Sequence, residues 1–213
     1  PVVRGEAFFD DSYSGNPLVN VVCVGLARKD NLVTAKAEKA GNKLVLMGAT
    51  TGRDGLGGAS FASRDLSEEA ESEERPSIQI GDPFTEKLLI ESTLEGIDKG
   101  YVKSCRDLGA AGIVGASSEM ASKGDLGAYM FLDNVPLRES GMKPFEILIA
   151  ESQERILLEV EPDDVIAMLD IAEKYDLSAS VIGELKEEQN YTAEFEGKIV
   201  AAMPVKLPTE GCP

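Results

Sequence analysis

Residues 75–123 read RPSIQIGDPFTEKLLIESTLEGIDKGYVKSCRDLGAAGIVGASSEMASK. The stretch alternates extended with helical patterns and sets polar residues at the joints. Ser77–Ile80 is a short β-type run that Gly81-Asp82-Pro83 stops, with Asp82 as N-cap and Pro83 at the first position of a helix. Gln79 therefore falls at a strand end. From Phe84 the helix carries Leu88, Leu89, Ile90, Leu94 and Ile97. That apolar surface is wider than a single stripe and predicts cover on two sides. Tyr101–Arg106 reads as a second strand ending in Asp107, and Ala110, Ile113/Val114, Ser117 and Met120/Ala121 then recur at helical spacing, with small residues that permit close approach. The order strand, helix, strand, helix predicts a layered α/β/α domain. Ligands in such folds collect where strand ends open into loops, which makes Gln79 and Asp107 a candidate pair. An edge side chain and a helix cap are the competing readings of these positions.

Upstream, Leu44–Met47 is a strand that runs into a loop with Gly52, Gly55, Gly57 and Gly58. Its backbone N–H groups, Arg53 and a helix start near Ala59 would suit a phosphate, although the loop matches neither standard phosphate motif, and a loop without a ligand is the equal alternative. Leu18–Leu26, LVNVVCVGL, is an apolar β-rich run that predicts a strand buried on both faces, with Val2–Phe9 as a possible partner. Residues 1–40 read as the last strands of a preceding domain and 41–213 as the layered domain. Arg64–Arg75 is a dense acidic run, expected to be a solvated loop.

Downstream, Gly127–Leu132 is a strand and Pro144 opens a helix that reaches Glu151-Ser152-Gln153, before Arg155–Val160 turns to strand. Three hydrogen-bonding side chains in a row at that junction can converge on a polar ligand or serve the turn itself. Pro162–Tyr175 is an amphipathic helix, and Ser178–Leu185, Tyr191–Phe195 and Ile199–Met203 are strands, the last two forming a hairpin. LPTEGCP at 207–213 predicts no element.

The 213 residues carry a net charge of −17, three cysteines and no histidine. The charge argues against a nucleic-acid footprint. Cys23, Cys105 and Cys212 have no metal-site spacing, which fits reduced thiols in a cytoplasm, and no run is long and apolar enough for a membrane. Without histidine, Ser-His and Cys-His nucleophiles are excluded within this chain. Carboxylate, amide and backbone chemistry remains, and it suits metal ions and phosphates.

Six segments in order, GEAFFDDSYSGNPLVNVVCVG, VLMGATTGRDGLGGASFAS, RPSIQIGDPFTEKLLIES, DLGAAGIVGASSEMASKG, VPLRESGMKPFEILIAESQERILL and VIGEL, resemble the phosphoribosylformylglycinamidine synthase subunit II family. The family protein is longer, and the matched part corresponds to the end of an ATP-binding-type domain followed by a domain of the aminoimidazole ribonucleotide (AIR) synthase-related C-terminal type. The resemblance implies ATP-dependent conversion of formylglycinamide ribonucleotide to its amidine, with ammonia from a glutaminase subunit and a small accessory subunit as a further partner. It implies Gln79, Glu151, Ser152 and Gln153 as substrate contacts, Asp107 as a magnesium ligand, and ATP and Mg2+ as cofactors. Family members often carry histidine where Leu56-Gly57-Gly58 lies and read QDMGAAG where this chain has Arg106-Asp107-Leu108. The family's catalytic histidines and ATP-handling lysine and glutamate belong to other segments, so no catalytic residue and no turnover are expected of this stretch alone. A non-catalytic packing domain of the same synthetase is the alternative. A selenophosphate- or thiamine-phosphate-type relative is a third reading, against which ESQERILL and GDPFTEKLL speak.

Overall fold

The computed structural model describes residues 4–15, 18–29, 32–56 and 80–210. The chain divides into two compact units, Pro1–Leu32 and Val33–Pro213. In the first, Asp10 caps a 3-10 turn at Asp11–Tyr13, accepting from the Ser12 N–H at 3.0 Å. The predicted strand at Leu18–Leu26 does not form among the described residues, and Val19, Val22 and Val24 are more than four-fifths exposed. A β-prone run acquires a ladder only from a neighbour, and residues 4–9 supply no strand to pair with it.

The second unit is a seven-stranded sheet between two layers of helix. Its elements are β1 (Lys43–Gly48), α1 (Pro83–Asp98), β2 (Val102–Asp107), α2 (Gly112–Lys123), β3 (Gly127–Phe131), α3 (Pro144–Ile149), β4 (Arg155–Val160), α4 (Val165–Lys174), β5 (Ser178–Lys186), β6 (Asn190–Phe195), β7 (Lys198–Pro204) and α5 (Leu207–Glu210). The strand order is β2-β4-β1-β5-β3-β6-β7, with β3 and β6 the parallel pair. Alternation along β1 explains its unbroken apolar run. Leu44 and Leu46 enter the core beneath α2 and α3, and Val45 and Met47 enter the opposite core beneath α1 and α4.

Asp82 caps α1 as expected, accepting from the Phe84 and Thr85 N–H groups at 3.1 and 3.2 Å. Among the described residues the two-sided cover of α1 is not found. Leu89, Ser92, Thr93 and Gly96 pack inward, whereas Phe84, Ile90 and Leu94 are half-exposed or more. Small residues at 92, 93 and 96 bring the helix close to the sheet on one face and leave the second apolar strip open. The predicted strand at Ser77–Ile80 lies outside the described residues except for Ile80, which is exposed and not in a strand. α3 ends at Ile149, before Glu151, and a four-residue helix stands at Leu207–Glu210 where none was expected. Within the second unit the Glu159 carboxylate, fully buried, gathers the Glu38 and Lys39 N–H groups, the Asn42 amide and the Ser104 hydroxyl at 2.5–3.1 Å. Four donors compensate its desolvation.

Candidate functional site

Three segments meet at one end of the sheet: the exit of β1, the exit of β2 and the entry to β4. The register sets Gly48 opposite Arg155 and Asp107 opposite Ile156, so the antiparallel β4 begins between the two strand exits. Two glycines permit the approach. A Cβ on Gly48 would lie 2.1 Å from the Glu154 carbonyl oxygen, and one on Gly112 would lie 2.2 Å from that of Ala150. Both have positive φ, 126° and 51°.

On the inner side of this end the polar groups are wired together. Ser152 Oγ accepts from the Gly52 N–H at 3.0 Å and donates to Asp54 Oδ2 at 2.5 Å. Arg138 Nη2 donates to both Asp54 oxygens at 2.8 and 2.7 Å. The Glu151 N–H reaches the Asp54 carbonyl at 2.7 Å, and Glu151 Oε1 accepts from the Ala111 N–H at 3.2 Å, tying the junction to the loop after Asp107. Gln153 Nε2 turns back to the Glu151 carbonyl at 2.9 Å. Beneath them Arg155, 2% exposed, donates to Ser152 O, Thr51 Oγ1 and Ala150 O at 2.7–2.9 Å. Burial pulls its guanidinium down to about 10, an effect that Asp54 opposes.

The predicted phosphate cradle is not open over residues 51–53. The Thr51 N–H donates to Pro136 O, the Gly52 N–H to Ser152 and the Arg53 N–H to Glu139. The Arg53 guanidinium is committed to Glu139 at 2.8 Å, Glu146 at 3.1 Å and Gly141 O at 2.9 Å. The rest of that loop, Gly57 to Phe61, lies outside the described residues, as does the acidic run 64–75.

The outer side is a cavity of about 400 Å³ between α1 and the ends of β2 and β4. Asp107 and Gln153 both line it, together with Glu86, Thr93 and Glu154 over an apolar wall that includes Leu89 and Ile156. Of the candidate residues, then, Asp107 and Gln153 share a cavity. Glu151 and Ser152 are buried in the adjoining network, and Gln79 lies outside the described residues. Among the described residues no group of three or more acidic, cysteine or histidine side chains is placed to hold a metal alone. Asp107 is exposed at its strand end and makes no ion pair among them, which fits a hard cation completed by water and ligand oxygens. The sequence reading missed Asp54, Arg138 and Arg155. Only Arg155 left a signal: an arginine opening a strand that continues Ile156-Leu157-Leu158, apolar on both faces, must be buried and must find acceptors.

Residues 39–196 match the family described as AIR synthase related protein, C-terminal domain. The chain belongs to this family. As an AIR synthase related C-terminal domain it is also similar along its whole length to the phosphoribosylformylglycinamidine synthase subunit PurL of Methanosarcina mazei. The two are 63% identical over 213 residues, 100% of this chain and 30% of the relative. Thermotoga maritima PurL complexed with FGAR superposes with a TM-score of 0.78 at 47% identity, covering 84% of this chain and 30% of that one. The same T. maritima protein complexed with ATP gives 0.74 at 41% identity, covering 85% and 28%. The chain thus spans about 30% of the length of the curated relatives it matches, and its α/β architecture agrees with that of the T. maritima structures.

Proposed function

We propose that the chain is part of a phosphoribosylformylglycinamidine synthase large subunit, the ligase that uses ATP and glutamine-derived ammonia to convert formylglycinamide ribonucleotide to its amidine. The observation that carries this reading is the 63% identity maintained over all 213 residues. Residues 1–40 are then the end of an ATP-binding-type domain and 41–213 the AIR synthase-related domain. Within it Asp107 holds magnesium, and Gln153, with Gln79, Glu151 and Ser152, contacts the ribonucleotide. Magnesium, when bound, supplies positive charge against the phosphoryl group being transferred. This chain's part is to position: Arg155 locks the 150–152 turn, and the Asp54–Arg138 pair fixes the serine. Binding of the glutaminase and small subunits and a cytoplasmic setting belong to the same proposal; no described helix is long and apolar enough to cross a membrane.

The assembly reading draws support from Glu151 and Ser152, whose side chains are already committed within the chain. Titration of the chain with formylglycinamide ribonucleotide and Mg2+, in wild type, Gln153→Ala and Asp107→Asn, separates the two. The ligase reading expects saturable binding weakened by both substitutions. A folded chain that binds neither ligand leaves the packing role.

A further inference from the structure

Residues 33–42 form neither helix nor strand, yet they are fastened to four separate elements. The Cys105 N–H of β2 donates to Thr34 O at 3.1 Å, the Ala37 N–H to Met120 O of α2 at 3.0 Å, and Gly41 and Asn42 exchange bonds with Leu185 of β5 at 2.8 and 2.9 Å. On β4 the Glu159 carboxylate accepts from the Glu38 and Lys39 N–H groups and the Asn42 amide at 2.8–3.0 Å, with Ser104 Oγ as its fourth donor. Val33 packs against the core beneath α1 and α4, and Ala37 belongs to the core beneath α2 and α3. The segment therefore passes round β2, an edge of the sheet. Gly124 leaves the room this needs, since a Cβ there would lie 2.3 Å from Ala37 O.

These attachments are almost all polar. Thr34, Lys36, Glu38 and Lys39 are exposed, and Ala37 is the one fully buried apolar side chain of the segment, whereas Leu44–Met47 just beyond it are at most 2% exposed. Opening the segment exchanges its hydrogen bonds for bonds to water and returns the Glu159 carboxylate to solvent, at small net cost. Opening the sheet would expose both apolar cores. From this difference we infer that residues 33–42 are a strap that opens as a unit while the sheet stays folded, with Glu159 as its latch. The one carboxylate holds the strap at three points and ties them to β2 through Ser104. The strap stands immediately before β1, so the preceding residues reach the sheet through a joint with a closed and an open state. It does not depend on the ligase reading: Glu159 lies opposite Leu44, at the start of β1, and the candidate site lies past Gly48, at its exit.

Amide hydrogen exchange followed by NMR on the chain tests this. In the wild type the Ala37, Glu38, Lys39, Gly41 and Cys105 amides should share one level of protection, at least about tenfold below that of Leu46 and Leu157 in the β1–β4 ladder, and with little dependence on urea. Glu159→Gln sets an amide NH2 among four donors and should speed the five strap amides about 10–100-fold. Gly124→Ala presses on the strap from the end of α2 without touching the carboxylate, and should speed the same five about tenfold. In both variants, each shown to be folded by circular dichroism, Leu46 and Leu157 should change by less than about threefold. Strap and ladder amides accelerating by the same factor would mean one cooperative unit. Acceleration confined to Glu38 and Lys39, or to Ala37, would mean separate contacts. Either result, or unchanged exchange in both variants, would overturn the inference. If Glu159→Gln does not fold, Gly124→Ala decides alone.

Discussion

One end of the sheet carries two polar regions of opposite character, separated by the entry to β4. On the inner side Ser152, Asp54, Arg138, Glu151 and Arg155 are bonded to one another or to backbone at 2.5–3.2 Å. On the outer side Glu86, Asp107 and Glu154 line a cavity and make no ion pair with another described residue, while Arg155, which also lines it, gives its donors to Ser152 O, Thr51 and Ala150 O. A satisfied network holds backbone in place, while carboxylates without partners leave their surroundings less constrained. Glu151, Ser152 and Gln153 are consecutive, yet the first two are buried on the network side and the third also borders the cavity. The junction is thus a rigid support with one residue at its edge.

The sharpest way to break this contrast is at Arg155. Arg155→Met keeps much of the volume but deprives three buried oxygens of a charged donor, and hydrogen bonds to charged groups are worth about 1.5–3 kcal/mol each before relaxation. A loss of roughly 3–5 kcal/mol in urea denaturation is expected. Arg155→Lys should recover little, because an ammonium cannot span Thr51, Ala150 and Ser152 at once. A loss under about 1 kcal/mol would show that the turn stands without its arginine.

On α1 the same contrast is drawn in apolar residues. Leu89→Ala should cost about 2–4 kcal/mol, since Leu89 is 5% exposed in the core shared with Met168 and Ile171. Ile90→Gln, one position on and half-exposed, should change stability by less than about 0.5 kcal/mol. Near-equal effects would mean that the strip on Ile90 and Leu94 is covered after all. Asp54→Asn should fall lower than Leu89→Ala, at about 1–2 kcal/mol, because Arg138 is half-exposed and its charge is screened, so the main loss is the bond to Ser152.

How far such features are readable without coordinates depends on how local their causes are. The cap at Asp82-Pro83 and the strand beginning at Arg155 were legible because their signals lie within a few residues. Leu18–Leu26 misled because β propensity describes a residue's fit to a sheet and says nothing about whether a neighbouring strand exists. The helix face of α1 misled in the same way, since the pattern of leucines does not reveal that Ser92, Thr93 and Gly96 would form the packing side. The Gly-rich loop was read as open because its partners are remote: Ser152 meets Asp54 across 98 residues of chain, and Arg53 meets Glu139 across 86. Asp107 and Gln153 stand out separately in the sequence, one at a strand end and one at a helix-to-strand junction, and only the register of β2 against β4 brings both to one cavity.

The smallest effects concern two glutamates on α1, and they test the comparison most directly. Glu95 accepts from Lys174, Lys99 and Tyr175, which hold its carboxyl down at about 2. Glu86, on the same helix, is shifted upward by burial, Glu154 and Asp107. The signs are opposite. A depressed carboxyl contributes stability that is complete above its unfolded value of 4.5 and is lost as pH falls from there toward 2. A raised carboxyl makes the folded state bind the extra proton, so its contribution is most favourable at low pH and declines as pH rises through 4.5 and beyond. Thermal melts between pH 3 and pH 7 should therefore diverge. Glu95→Gln should lower the melting temperature at pH 7 and by progressively less as pH falls toward 3, while Glu86→Gln should leave it equal or higher at pH 7. If Glu86→Gln instead destabilised the chain at neutral pH, Glu86 would have to be a partnered carboxylate like Glu95, and the contrast between the two glutamates would fail.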